Sequence, residues 1–170
     1  MKETLAVINQ MQADGVIGKC AIGDAVGATY YLEPVATLDI DIFVTLPETS
    51  SGPLTLSPIY EYLLKRGWKS RDEYVDIAGW PVRFLPPADA LEREALEQSV
   101  EANLGGVPTR VMMAEHLMAI ALRTGRPKDR ARLLQFVSER SFKSETLEGI
   151  PKRHGLLQRW QQFKEKLIGE

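Results

Sequence analysis

Cysteine and histidine are almost missing from this chain. Its 170 residues hold one cysteine, Cys20, and two histidines, His116 and His154. A single cysteine excludes an internal disulfide framework and fits a reducing cytoplasm. So few nitrogen and sulfur donors exclude the usual zinc sites, which leaves carboxylates to hold any metal. Cys20 lies in an apolar run and reads as a small buried hydrophobe. His116 has apolar neighbours on a helical segment and reads as structural. No apolar run approaches the ~18 residues of a membrane span. Met1-Lys2-Glu3-Thr4 does not open a secretory signal, so a cytoplasmic location with no membrane partner is expected.

What is present is ordinary in amount and uneven in placement. Apolar residues make up 44% and charged residues 26%, which suits one compact globular unit. The net charge of −2 hides an acidic half and a basic half. Residues 1–104 carry 8 Lys/Arg against 16 Asp/Glu, and residues 105–170 carry 13 against 7. Three readings fit: lobes that attract each other, a metal site in one lobe facing a phosphate-holding surface in the other, or compositional drift.

The most informative stretch is Thr37-Leu38-Asp39-Ile40-Asp41-Ile42-Phe43-Val44. Its β-branched residues predict a strand over 38–44. Side chains at i and i+2 share a strand face, so Asp39 and Asp41 project together about 7 Å apart. Leu38, Ile40 and Ile42 then face the core. Two like charges so placed, with no local partner, suit a hard cation such as Mg²⁺ with oxygen ligands.

Around this strand the periodicity predicts a helix over 2–13, stopped by Asp14-Gly15, and a buried strand over 16–22. Gly23 breaks that strand, and Asp24 is placed to N-cap a helix running to about Glu33, ended by Pro34. A long polar loop follows over 45–57. A helix over 57–66 comes next, then two strands over 73–77 and 81–85. Everything after Ala88 reads helical, with Gly105-Gly106-Val107-Pro108 as the clearest internal boundary. The order predicts an α/β fold: a mixed sheet flanked by helices over 1–103, with a C-terminal helical lobe over 104–170.

A strand, a glycine, a helix and a strand with Asp-x-Asp is an arrangement similar to the nucleotidyltransferase fold shared with DNA polymerase beta. Gly23-Asp24-Ala25 stands where that family has the turn that holds nucleotide phosphates, and Asp39-Ile40-Asp41 where it has its metal ligands. The chain most resembles the bacterial AbiEii-like nucleotidyltransferases. The resemblance runs through Tyr31 to Val44, Gly79-Trp80-Pro81-Val82-Arg83-Phe84-Leu85-Pro86, Glu115-His116-Leu117 and Thr124 to Arg132, and so covers roughly residues 5–160.

The resemblance implies Mg²⁺-dependent transfer of a nucleotidyl group from an NTP to a hydroxyl of RNA, protein or a small molecule. Asp39 and Asp41 would be catalytic and would hold the metal. Gly23 and Asp24 would meet the nucleotide, and Arg126, Lys128 or Arg130 would hold its phosphates. Two departures stand out. Asp24 replaces the small residue expected beside phosphate, and Arg83 stands where a third carboxylate belongs. An arginine cannot coordinate Mg²⁺ or act as a base at neutral pH, but it can pair with Asp39 or Asp41. Asp76 and Asp24 are the substitute ligands on offer. These departures open a second reading: a non-catalytic relative that works through a protein partner, as in a toxin–antitoxin or phage-defence module. The basic run Arg123, Arg126, Lys128, Arg130, Arg132 fits a solvated helix face, a triphosphate contact or an RNA contact.

Overall fold

The computed structural model describes residues 1–34, 36–48 and 54–168. The polar loop expected over 45–57 therefore lies partly outside the described residues. Helix α1 (Lys2–Ala13) buries Leu5, Ile8 and Met11 at helical spacing. It leads to strand β1 (Cys20–Ile22), a short helix α2 (Asp24–Ala28) and strand β2 (Ile40–Val44). Helix α3 (Ser57–Lys65) comes next, followed by β3 (Lys69–Arg71), β4 (Tyr74–Ile77) and β5 (Trp80–Leu85). Helix α4 (Ala90–Glu97) precedes a hairpin of β6 (Val100–Leu104) and β7 (Val107–Val111). Four helices close the chain: α5 (Ala114–Thr124), α6 (Pro127–Glu139), α7 (Ser144–Arg153) and α8 (Leu157–Ile168).

The strands form one mixed sheet in the order β3-β4-β5-β2-β1-β7-β6. Strand β2 runs antiparallel to β1 and parallel to β5, and β1 is parallel to β7. The alternation of a strand sends successive side chains to opposite faces. Ile40, Ile42 and Val44 of β2, with Val82 and Phe84 of β5, enter a core shared with α1 and α3. Phe43 enters the opposite core, built by α4 to α8 around Leu117, Met118, Leu133, Phe136 and Trp160. Asp41 and Arg83 belong to this second, helix-covered face.

The structure corrects several expectations. Strand β2 begins at Ile40, so Leu38 lies outside the sheet and is 86% exposed instead of facing the core. Helix α2 stops at Ala28, and the chain continues as turns through Leu32. Gly27 packs against the Ile22 carbonyl, where a Cβ would sit 2.8 Å from its oxygen. The segment after Ala88 is not all helix. Gly105 and Gly106 adopt φ of 61° and 86°, values that a two-residue hairpin turn demands. They join β6 to β7 instead of separating lobes. This hairpin straddles position 103/104 and completes the sheet through the pairing of Ile22 with Val111.

Candidate functional site

The parallel register of β2 and β5 sets Asp41 opposite Arg83. Both side chains emerge on the helix-covered face, and the guanidinium closes on the carboxylate in a two-pronged clasp. Arg83 donates from Nε to Asp41 Oδ1 at 2.9 Å and from Nη2 to Oδ2 at 3.0 Å. A planar fork on a planar carboxylate is the strongest ion-pair geometry that side chains make. Asp41 is only 6% exposed. Burial pushes its carboxyl above the ordinary range, the neighbouring Asp24 and Asp39 charges add to this, and the Arg83 fork opposes them. The same pair holds the guanidinium pKa further above its ordinary value.

Asp39 precedes β2 and is half-buried. It accepts a hydrogen bond at 3.2 Å from the Tyr74 hydroxyl on β4. Gly23 caps α2 in an extended conformation and donates its N–H to the Asp41 carbonyl at 3.0 Å. The Phe43 ring lies against Gly23, 2.6 Å from where a Cβ would stand. Asp24 is not the N-cap; it is the first residue of α2 and holds φ at +43°. Its carboxylate is taken by Arg132 at 2.5 Å, with Lys128 at 3.8 Å.

Helix α6 distributes the basic run in three directions. Arg126 caps the helix instead of continuing it, so it shares no helical face with Arg130. It clasps Asp129 through Nε at 2.6 Å and Nη2 at 3.1 Å. Asp129 is 1% exposed and also accepts from the Arg126 N–H and the Thr124 hydroxyl. Burial works against its charge, but these hydrogen bonds hold its pKa below the ordinary carboxylate range. Lys128 and Arg132 share a face at i, i+4 and reach Asp24. Arg130 leaves this site and lines a groove between α5, α6 and α8. Arg123, at the end of α5, pairs with Asp89 and Glu92 of α4.

The structure thus gathers Gly23, Asp24, Asp39, Asp41, Arg126 and Lys128 around one end of the sheet, and it excludes Arg130. A cavity of about 130 Å³ there is lined by Asp24, Asp41, Arg83, Arg126 and Arg132. A wider cleft of about 400 Å³ lies beside it, between α2 and α6. Arg132, which the sequence offers only as one member of a basic run, is the partner of Asp24, and Tyr74 is a contact residue that the sequence does not single out. The i, i+4 spacing of Lys128 and Arg132 was the signal for the first. Tyr74 carries none, because its role depends on strand order. Asp76 faces Pro81 and Lys69 in the β3–β4–β5 register, two strands away from β2.

Two solved structures share this architecture. One is an antigenic nucleotidyltransferase-like protein from Paracoccidioides brasiliensis, with a TM-score of 0.57 and 14% identity over 81% of this chain and 74% of that one. The other is the antibiotic-resistance factor ANT(2'')-Ia, with a TM-score of 0.54 and 16% identity over 100% of both chains.

The fold is that of a nucleotidyltransferase.

No protein-family model and no curated protein matches the chain. Among the described residues no helix is long and apolar enough to cross a membrane. The Mg²⁺ that the resemblance implies finds a poor donor set on this nucleotidyltransferase frame. Both oxygens of Asp41 are engaged by Arg83, and Asp24 is engaged by Arg132. Among the described residues no three His, Cys, Asp or Glu side chains converge to hold a metal ion. These residues as arranged do not fit a divalent cation, because guanidinium groups already supply the positive charge that it would bring.

Proposed function

We propose that this chain is a nucleotidyltransferase-fold protein without metal-dependent transfer chemistry, which acts by binding a protein partner. The Arg83 clasp on Asp41 carries this reading. It stands at the register position where the resemblance calls for a third carboxylate, and it replaces a ligand with a cation. Magnesium-dependent transfer through Asp39 and Asp41 would require Arg83 to release Asp41, keeping only its longer contact with the exposed Glu73 at 3.5 Å, and to hold its charge beside the metal. Asp24, paired with Arg132, adds a second built-in neutralisation on the side where phosphates would approach. The resemblance to AbiEii-like proteins supports a partner of the toxin–antitoxin or phage-defence kind.

The test is incubation of the purified protein with Mg²⁺ and each labelled NTP, with RNA and protein acceptors, alongside calorimetric titration. The expected result is no Mg²⁺-dependent label transfer and no Mg²⁺-dependent heat of nucleotide binding. Transfer that disappears on Asp39→Asn plus Asp41→Asn would overturn the proposal and restore the enzyme reading.

A further inference from the structure

Every arginine around the candidate site has a carboxylate partner: Arg83, Arg123, Arg126 and Arg132 each close an ion pair. On the opposite side of α6 the pattern reverses. There a groove of about 370 Å³ opens between α5, α6 and α8. Its floor is apolar and includes Leu122, Leu133, Leu134 and Phe163. Leu134 is 45% exposed and is continuous with this apolar floor. Its rim carries Arg130, Arg159 and Lys166, and among the described residues no carboxylate lines it. Among the described residues none of these three cations forms an ion pair. Arg159 is also fixed in place, because it donates to the Arg123 carbonyl at the end of α5.

We infer that this groove is the docking site for an acidic amphipathic helix of a protein partner. The inference rests on the partner-binding reading above and names the surface and the chemistry of the partner. Three helices enclose the groove and among the described residues none that lines it belongs to a strand, so an added strand would find no sheet edge to pair with. A helix presenting apolar residues at i, i+4 and i+7 fills such an apolar trough. Carboxylates flanking those anchors meet Arg130, Arg159 and Lys166, and this complementarity sets orientation and speeds encounter. A nucleic acid matches the charge but not the floor. The one aromatic ring there, Phe163, is already stacked on Trp160 at 5.7 Å between centroids, and the rest is aliphatic.

The test uses the full chain and three labelled probes in fluorescence anisotropy at physiological salt. The first is an 18-residue helix-forming peptide with leucines at i, i+4, i+7 and i+11 flanked by glutamates. The second is a scrambled peptide of the same composition, and the third is a single-stranded RNA. The patterned peptide should bind saturably and at least about tenfold more tightly than the scrambled one. Arg130→Glu plus Lys166→Glu should weaken it by about tenfold or more. Leu134→Asp should do the same through the floor, and these exposed substitutions should leave the thermal midpoint within a few degrees. Equal binding of both peptides, or RNA binding lost on the same charge reversal, would overturn the inference. Peptide binding together with Mg²⁺-dependent transfer would sink only the earlier reading. Absence of both would sink only this one.

Discussion

Arg83 sits directly across from Asp41 on a parallel strand and engages both of its carboxylate oxygens, so a buried carboxylate on the helix-covered face carries its own countercharge. Removing the cation leaves an acid that is 6% exposed without a partner. Arg83→Ala should therefore destabilise the fold by about 1–3 kcal/mol, because an orphaned buried charge costs more than a neutral gap. Urea denaturation reads this directly, and a loss below about 0.5 kcal/mol would mean that the clasp contributes little.

The same register offers a gain-of-function test. Arg83→Asp places a carboxylate opposite Asp41 with Asp39 and Asp24 nearby. Of these four acids only Asp24 keeps an arginine partner, and the other three repel one another, so this variant should melt lower than the parent in chelator. It should then recover with millimolar Mn²⁺ or Mg²⁺, whereas the parent should not respond. A variant indifferent to metal would show that the site lacks the shape of a cation site as well as the charge.

The tie between α2 and α6 rests on Arg132 more than on Lys128. Arg132 lies 2.5 Å from Asp24 and is mostly buried, while Lys128 is 3.8 Å away and well exposed. Arg132→Ala should cost about 1–2 kcal/mol and Lys128→Ala less than about 0.5 kcal/mol by denaturant titration. Equal costs would mean that the helix position depends on general charge instead of this pair.

Gly23 is a packing requirement here. A Cβ would stand 2.6 Å from Cε2 of Phe43, and Phe43 is held by the core beneath α5. Gly23→Ala should lower stability by about 1–3 kcal/mol, and Gly23→Ala with Phe43→Leu should regain part of it. Additive losses would mean that the ring is not what the new methyl meets.

Acid stability should depend on Glu94. Arg153 first, then His154 and His116, hold its pKa down to about 2 from an ordinary 4.5, although burial opposes them. A carboxyl depressed in the folded state contributes stability that is present above about pH 4.5 and is lost as pH falls toward about 2. His116 acts in the same direction. Burial lowers its pKa, so the unfolded chain takes up a proton first as pH drops below its ordinary 6.5. Glu94→Gln should flatten the lower part of the pH–stability profile; an unchanged slope between pH 4.5 and 2 would refute the assignment.

Elements with a clean period are legible in the sequence. Leu5, Ile8 and Met11 mark α1, and the alternation through Val75, Ile77, Val82 and Phe84 marks β4 and β5. The nucleotidyltransferase frame follows from Gly23 and Asp39-Ile40-Asp41. Arg83 as a partner for Asp39 or Asp41 is legible too, since the expected third carboxylate and its replacement occupy one position; the choice of Asp41 comes from the strand register. What fails is physically specific. Val100, Ala102 and Leu104 alternate, but they follow a helical segment without a break, so the helical reading runs through them. Leu38 looks like the start of a strand because sequence alternation does not reveal where the ladder of hydrogen bonds begins. The separate fates of Arg126, Lys128, Arg130 and Arg132 depend on which helices flank α6, and no local spacing encodes that.

The hairpin of β6 and β7 has a consequence for how the chain reaches its fold. Strand β1, residues 20–22, is central to the sheet, yet its parallel neighbour β7 is synthesised almost ninety residues later. Until Val111 has left the ribosome, the edge of β1 that later pairs with β7 stays bare and can recruit another strand. Closing a loop of that length is slow compared with forming the β4–β5 hairpin. The acidic front of the chain, with its excess of Asp and Glu over Lys and Arg, therefore has to remain soluble while it waits. Self-repulsion among those carboxylates keeps nascent copies apart during the interval.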